Sequence, residues 1–393
     1  MTKLEELMQK LCPDGVEYKT IGDLCNISRG RVMSKDYIKE NVGQYPVYSS
    51  QTENNGQFGS ISTFDFDGEY LTWTTDGANA GSVFYRNEKF SITNVCGLLK
   101  VKKSSVNTRF LYFSLSVEAK KHVNSGMGNP KLMSNVMAKI KIPVPPLSVQ
   151  EEIVHILDVY TELTAKLTEQ LNAELTSRKK QYEYYKEDLL CNPQGAVKQT
   201  TKDITTKRFW LMPATPHYVS MGVPYITSKN VRNGKIDFSD VKYISQQDYE
   251  EISKNRAVKE GDLLITMIGT IGETAFVHEY TEFYGQNIYL IRFDESKCLR
   301  KYFYYYFSME TVRNAIVSKK NASSQGYIKA GDIDNLSIPI PPLAEQQRIV
   351  SILDRFDILC NDLTSGLPAE IEARQKQYEY YRDKLLTFKQ LDA

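Results

Sequence analysis

The stretch Ile142-Pro143-Val144-Pro145-Pro146-Leu147 returns as Ile338-Pro339-Ile340-Pro341-Pro342-Leu343, 196 residues later. From there the two copies align without a gap to Leu190 and Leu386, with 26 of 49 positions identical, Gln181-Tyr182-Glu183-Tyr184-Tyr185 and Gln377-Tyr378-Glu379-Tyr380-Tyr381 among them. A self-match of this length means one unit present twice, each copy closing on the same element. Such a chain can carry a two-fold relation inside one polypeptide, and differences between its copies then mark what each one reads.

The repeated element is helical. Between Ile153 and Leu189, bulky or apolar residues fall at 153, 156, 157, 160, 163, 167, 171, 175, 182, 185 and 189, steps of three and four that trace one stripe along a helix. The Pro-Pro pair stops a strand, and Ser148 is placed to cap the helix that follows. From Ser148 to Leu190 such a helix is ~65 Å long at ~1.5 Å per residue, so two copies are expected to bury their stripes against each other. Within the first copy the leucines head a tetrad repeat, Leu163-Thr164-Ala165-Lys166, Leu167-Thr168-Glu169-Gln170, Leu171-Asn172-Ala173-Glu174. The second copy has Ser365-Gly366-Leu367-Pro368 where the first has Glu169-Gln170-Leu171-Asn172, and glycine followed by proline predicts a break. Leu4, Leu7 and Leu11 precede Cys12-Pro13-Asp14-Gly15 much as Leu189-Leu190 precede Cys191-Asn192-Pro193-Gln194-Gly195, so the chain opens like the tail of a repeat and a circular arrangement is expected.

The unlike segments share an order of features. Tyr45-Pro46-Val47-Tyr48-Ser49-Ser50 answers to Val223-Pro224-Tyr225-Ile226-Thr227-Ser228, and Gly68-Glu69-Tyr70-Leu71-Thr72-Trp73 to Gly261-Asp262-Leu263-Leu264-Ile265-Thr266. Glycine loops follow, Asp76–Gly81 and Gly269–Gly272, then aromatic helical runs at 110–113 and 303–307. The fold class expected is α+β: two mixed α/β domains in a pseudo-two-fold arrangement, separated by two long antiparallel helices that form a coiled-coil-like spacer.

Composition sets limits on function. The 393 residues are 41% hydrophobic and 25% charged, an ordinary globular balance. No run of about 18 apolar residues suggests a membrane span, and Met1-Thr2-Lys3-Leu4-Glu5-Glu6 is too polar for a signal peptide. Six scattered cysteines without a Cys-x-x-Cys pair fit a reducing cytoplasm, and four histidines far apart offer no metal cluster. The net charge of +1 hides a division: residues 12–141 carry +4 and 192–337 carry +3, while 142–191 and 338–393 carry −4 and −2. Mildly basic domains suit a nucleic acid, and acidic, tyrosine-rich helices suit a protein partner.

Catalytic signatures are missing. The Pro-Pro pairs are not the Asn/Asp-Pro-Pro-aromatic loop of an amino-methyltransferase, because Val144 and Ile340 precede them and Leu147 and Leu343 follow. The glycine loops lack the Lys-Ser/Thr of a P-loop, and Glu118-Ala119-Lys120 and Glu295-Ser296-Lys297 have no upstream aspartate to complete a nuclease site. What remains is polar hydrogen-bonding chemistry. In the first domain it comprises Arg29, Arg31, Ser50, Gln51, Asn54, Asn55, Trp73 and Thr74; in the second, Thr227, Ser228, Lys229, Asn230, Arg232, Ser324 and Gln325. Arg pairs with guanine edges and Asn or Gln with adenine, while Lys, Ser and Thr hold phosphates, although Asn and Ser are also ordinary turn residues.

The Pro-x-Pro-Pro-Leu corner, the opening Gln150-Glu151-x-Ile153-Val154-x-Ile156-Leu157-Asp158, answered by Gln346-Gln347-x-Ile349-Val350-x-Ile352-Leu353-Asp354, and the Gln-Tyr-Glu-Tyr-Tyr close, present twice, resemble the specificity subunit of a type I restriction-modification system. The resemblance spans essentially the whole chain. It implies a first target recognition domain over 1–147, with 1–11 the tail of a helical repeat, and a spacer helix over 148–190. A second target recognition domain would occupy 191–342 and a second spacer helix 343–390, broken near 365–368. Each domain would read half of a bipartite site in double-stranded DNA. Two methyltransferase subunits carrying S-adenosylmethionine would dock near the helices, and a motor nuclease subunit would join for cleavage, with no cofactor, metal or catalytic residue in this chain. Tyr182, Tyr184, Tyr185, Tyr378, Tyr380 and Tyr381 are the residues expected to meet those partners. Two rivals stand beside this reading: a duplicated coiled-coil scaffold displaying two protein- or glycan-binding domains, and a self-sufficient restriction enzyme with degenerate motifs.

Overall fold

The strand ahead of each Pro-Pro pair is short, as proline's missing donor requires. Lys141–Pro143 pairs antiparallel with Tyr18–Thr20, and Ser337–Ile340 pairs antiparallel with Val197–Thr200. The computed structural model describes residues 2–124, 126, 128–211, 216–232, 234–280, 282–319, 326–362 and 365–391. These form two units, Met1–Gln170 with Ile371–Ala393, and Leu171–Glu370. Each unit therefore joins one unlike segment to part of both repeated segments.

After the first Pro-Pro pair the chain enters a single helix, Leu147–Cys191. It opens on the Pro146 carbonyl, which accepts from Val149 N and Gln150 N. Ser148 thus lies inside the first turn rather than at the cap. The second copy is two helices, Leu343–Asn361 and Leu367–Leu385. Gly366 lies between them, where a Cβ would stand 2.5 Å from the Ile358 carbonyl oxygen and 2.7 Å from that of Asp362.

In the first unit a six-stranded sheet runs in the order Cys25–Arg29, Cys96–Val101, Phe66–Thr74, Val83–Ile92, Val42–Tyr48, Gln57–Ile61. Helix Thr108–Glu118 has two working faces. Leu111 and Leu115 pack on Leu71, Trp73 and Leu99 of the sheet. Phe110 and Phe113 pack on Val149, Ile153, Leu157 and Leu386 of the repeated helices. Full burial of one such side chain is worth about 1.5–3 kcal/mol, so this helix is the principal tie between sheet and helices. Asn107 caps it, accepting from Arg109 N and Phe110 N. Terminal segments join the same unit: Val16 N donates to Lys389 O and Leu391 N to Val16 O.

The second unit repeats the plan with smaller sheets. One has the order Thr205–Leu211, Ile288–Phe293, Leu263–Thr266, Thr274–Phe276; the other has Tyr218–Val219, Lys242–Ile244, Val223–Ile226, Tyr284–Gly285. Helix Arg300–Phe307 takes the linking place, its Phe303 and Phe307 in one core with Leu263, Ile265, Ile349, Leu353 and Leu190.

One side chain locks each helix to its domain. Gln150 is fully buried; its Oε1 accepts from Asn107 N at 2.8 Å, and its Nε2 donates to Ser105 O at 2.9 Å and Pro145 O at 2.7 Å. Gln346, 196 residues on, does the same with Leu299 N, Lys297 O and Pro341 O. Arg109 then meets Asp158 at 2.8 Å, and Lys301 meets Asp354 at the same distance.

The helix stripe departs from expectation in the middle. Leu163 and Leu167 are exposed, and the half-buried positions are Thr161, Thr164, Thr168, Leu171, Leu175 and Arg178. A four-residue step advances about 400° around a helix of 3.6 residues per turn. The tetrad leucines therefore drift across the surface and reach the packed side only at Leu171 and Leu175.

Candidate nucleic-acid interface

At one edge of the first unit, backbone hydrogen bonds knot four loops together. Thr93 N donates to Tyr48 O at 2.9 Å, Thr75 N to Val95 O at 3.2 Å, Leu132 N to Thr75 O at 3.0 Å, and Gly77 N to Pro130 O at 3.0 Å. The loops so gathered are 49–57, 75–82, 93–95 and the described residues of 124–132. In the second unit the corresponding bonds run from Gln286 N to Ile226 O at 3.1 Å, from Met267 N to Asn287 O at 3.0 Å, and from Ile328 N to Met267 O at 3.2 Å. Thr270 Oγ1 adds a bond to Ser228 O at 3.1 Å. Main-chain atoms make most of these contacts, so the knot tolerates change in the side chains it presents.

Ser50, Gln51, Asn54 and Asn55 lie on the first of the gathered loops. Gln51 turns its amide inward to Gln57 O, whereas Asn54 and Asn55 are exposed. Arg29 and Arg31 flank the same edge. Arg29 reaches Ser134 Oγ at 3.3 Å; Arg31 pairs with Asp65 at 3.1 Å and lies over the Tyr37 ring at 5.3 Å. The hydrogen bonds that Arg31 donates to Tyr37 and Asp65 raise its pKa above the ordinary value. Gly30 between them is obligatory, since a Cβ there would overlap the Ile92 carbonyl oxygen at 2.0 Å.

Trp73 and Thr74 do not face outward. Trp73 is fully buried and donates its indole N–H to Leu132 O at 3.0 Å, while Thr74 Oγ1 donates to Asn79 O within the glycine loop. They hold the loops in place. In the second unit Thr227, Ser228, Lys229 and Arg232 occupy the equivalent loop, with Lys229 exposed beside Asp240 at 3.6 Å. Asn230 is buried and serves as a clasp: its Oδ1 accepts from Thr227 N at 2.9 Å and its Nδ2 donates to Asp237 O and Asp240 O at 3.0 Å. Ser324 and Gln325 lie outside the described residues. The sequence reading passed over loop 124–132, where Asn124, Asn129 and Lys131 are exposed, and also Gln286 and Asn287, the latter at φ 64°. Its visible signal was the glycine- and asparagine-rich run 124–130 ahead of Lys131.

The six tyrosines divide. Tyr182 is buried and stacks on Phe356 at 6.2 Å, and burial drives its pKa far up. Tyr185 stacks on Phe356 at 5.7 Å. In the first unit Tyr381 meets Tyr160 at 6.1 Å and the Tyr378 hydroxyl lies 3.0 Å from Thr161 Oγ1. These rings join helix to helix within their units, and Tyr182 has no surface to offer a partner. Tyr184 and Tyr380 are the most exposed of the six, at 66% and 63%, while Tyr185 and Tyr381 keep an exposed face beside their ring contacts. Among the described residues no helix is long and apolar enough to cross a membrane, and no group of three or more His, Cys, Asp or Glu is placed to hold a metal.

Comparison with known proteins agrees with this architecture. The family model described as the type I restriction modification DNA specificity domain matches residues 13–177 and again 198–373. A putative type I specificity subunit of Mycoplasma pneumoniae is 35% identical over 372 residues, which cover 93% of this chain and 96% of that one. The N-terminal part of another from the same organism is 52% identical over 179 residues, covering 44% of this chain and 95% of its own length. The fold matches a structure from a study of type I restriction-modification complex assembly, with a TM-score of 0.69, 15% identity, and 96% and 98% of the two chains covered. It also matches the HsdS subunit from Thermoanaerobacter tengcongensis, with a TM-score of 0.59, 16% identity, and 96% and 97% covered. Two matches to one family model and a full-length relative carry the conclusion that this chain belongs to the type I restriction-modification specificity subunits, targeting rather than catalytic components.

Proposed function

We propose that each unit reads one half of a bipartite site in double-stranded DNA through its four gathered loops. The repeated helices set the spacing of the halves and dock two methyltransferase subunits, with a motor nuclease subunit added for cleavage. The observation that supports this most is the contrast between the units: three backbone bonds of each knot correspond, whereas the side chains they present, Asn54 and Asn55 against Lys229 and Arg232, differ. One scaffold with two sets of presented side chains suits two different base sequences.

S-adenosylmethionine belongs on the partner subunits in this reading. Val144 and Ile340 ahead of the prolines cannot accept a hydrogen bond from a target amine through their side chains. Exposed Val159, Leu163, Leu167, Tyr184 and Tyr380 supply apolar helix surface for those partners, and the complex works in the cytoplasm. Exchanging residues 12–141 for the equivalent segment of a relative should change one half of the methylated motif and leave the other half and the spacer intact, as read by methylome sequencing. A change in both halves would defeat the reading.

A further inference from the structure

The exposed turn Glu53–Gly56 of the first unit holds Asn54 at φ 47°, Asn55 at φ 55° and Gly56 at φ 80°. Successive left-handed residues that are not glycine are unfavourable and persist only where their surroundings fix them. Two bonds within the loop, Ser49 N to Gly56 O and Gln57 N to Asn54 O, close the turn, and Arg86 holds it from outside the loop. It lies in strand Val83–Ile92, is 1% exposed, and its Nη2 donates to Asn55 O at 2.7 Å. Its Nε donates to Thr72 Oγ1 at 3.2 Å, and its guanidinium carbon lies 3.4 Å from the centroid of the Tyr48 ring.

This is an unusual cation. Among the described residues no carboxylate lies at ion-pair distance from it; Glu88, bound to the Tyr48 hydroxyl at 2.6 Å, acts on it only indirectly, and its Nη1 is buried without a hydrogen-bond partner. Burial holds its pKa below the ordinary guanidinium value. A buried charge lacking an ion partner is unfavourable, so a fold that could do without one would do so.

The second unit shows that the scaffold can do without it. The strands match one residue away from the alignment of Gly68 with Gly261: Thr74 and Thr266 each bind back into their glycine loop, and the neighbouring pairs Trp73 with Val83 and Ile265 with Thr274 set the same register. Counting along those strands brings Arg86 opposite Val277, which is likewise 1% exposed. Valine fills the place in one unit; the other keeps a buried arginine beneath an exposed turn.

We propose that Arg86 is a positioning residue that presets the Asn54–Asn55 turn for reading adenine edges in one half-site. This rests on the DNA-reading function proposed above. Arg86 touches no base: it fixes the Asn55 carbonyl from inside the sheet, so both asparagine amides reach the major groove without a further loss of loop entropy.

The test uses the full chain assembled with its methyltransferase subunits, given a randomised DNA library and read by sequencing of methylated sites. Arg86→Met should relax discrimination about tenfold at one or two base pairs of one half-site, leaving the other half-site as in the parent, and Arg86→Lys should recover part of the loss. Because a buried substitution can unfold the unit, a second variant alters only exposed residues: Asn54→Ala with Asn55→Gly should relax the same base pairs. A parent chain that methylates no two-part motif overturns the functional reading and this proposal with it. A two-part motif that neither variant alters overturns this proposal alone. So does a loss spread evenly over both half-sites, the mark of a merely structural arginine.

Discussion

Replacing Gln150 with leucine tests whether the glutamine clasp couples helix to domain. Leucine has nearly the same volume, so the site stays filled and the loss is of hydrogen bonds alone. Three bonds disappear, to Asn107 N, Ser105 O and Pro145 O. At a net ~1 kcal/mol each they amount to ~3 kcal/mol, and leaving a buried backbone N–H without a partner adds ~1–2 kcal/mol. The expected cost is therefore about 4–5 kcal/mol, a large share of the ~5–15 kcal/mol that stabilises a typical domain. Its structural consequence follows from Asn107, which caps the helix carrying Arg109 to Asp158. Once that amide is unpartnered, the start of helix Thr108–Glu118 should loosen. Urea unfolding measures the cost, about 1.5–2.5 M in midpoint for a slope of ~2–3 kcal/mol per M. Hydrogen exchange locates it, with faster exchange in peptides covering 105–118 than in those covering 297–307. Gln346→Leu should reverse the pattern, since Gln346 meets Leu299 N at the cap of helix Arg300–Phe307. A loss below ~1 kcal/mol for both variants would show that the clasp fills space and does not couple the elements.

Two further outcomes are expected. Inserting one Leu-Thr-Ala-Glu tetrad after Leu167 adds about 6 Å of helix, and methylome sequencing should show the unread spacer longer by one or two base pairs with both half-sites unchanged; an unchanged spacer would refute the role proposed for the helix. Burial pushes the phenols of Tyr48 and Tyr85 up to about 12, aided by hydrogen bonds to Glu88 and Glu69. Their contribution to stability is complete below the unfolded value near ~10 and is lost as pH rises from there toward 12. Absorbance titration of phenolate should accordingly show a late-ionising fraction that moves down to the ordinary range in denaturant.

The repeated helices and their Pro-Pro corners were legible because a period of three to four residues, stated twice, has few alternative readings. What the tetrad leucines do was not legible. A row spaced by four looks like a buried stripe on paper, and only the mismatch with 3.6 residues per turn carries Leu163 and Leu167 out to solvent. Trp73 and Thr74 misled for a different reason. Residues 70–74 are buried without alternation, so no period-two signal separates an inward side chain from an outward one. Asn230 shows a third limit, since a loop asparagine that clasps carbonyls and one that reads a base have the same letter. Arg86 gave no signal at all, being a lone arginine between Tyr85 and Asn87 in a strand that could equally have turned it to water.

In both units a buried polar side chain pins the variable loop from beneath, yet the pins are unrelated. One is Arg86, reaching up from a sheet strand to Asn55 O; the other is Asn230, inside the loop itself, tying Thr227 to Asp237 and Asp240. The knots around them consist largely of main-chain bonds and persist whatever the side chains are. This division lets specificity change without the fold changing, because the scaffold needs no particular side chain at the pin, as Val277 at the place of Arg86 demonstrates. It also restricts how specificity can change. A loop that depends on a distant pin is weakened when moved alone: residues 49–57 carried into another scaffold without strand Val83–Ile92 would keep their own bonds, Ser49 N to Gly56 O and Gln57 N to Asn54 O, but would lose the Arg86 bond to Asn55 O that opposes the left-handed strain. On the proposed function the exchangeable piece is then the whole domain, because Asn54 and Asn55 in their turn and Arg86 in strand Val83–Ile92 lie on different elements.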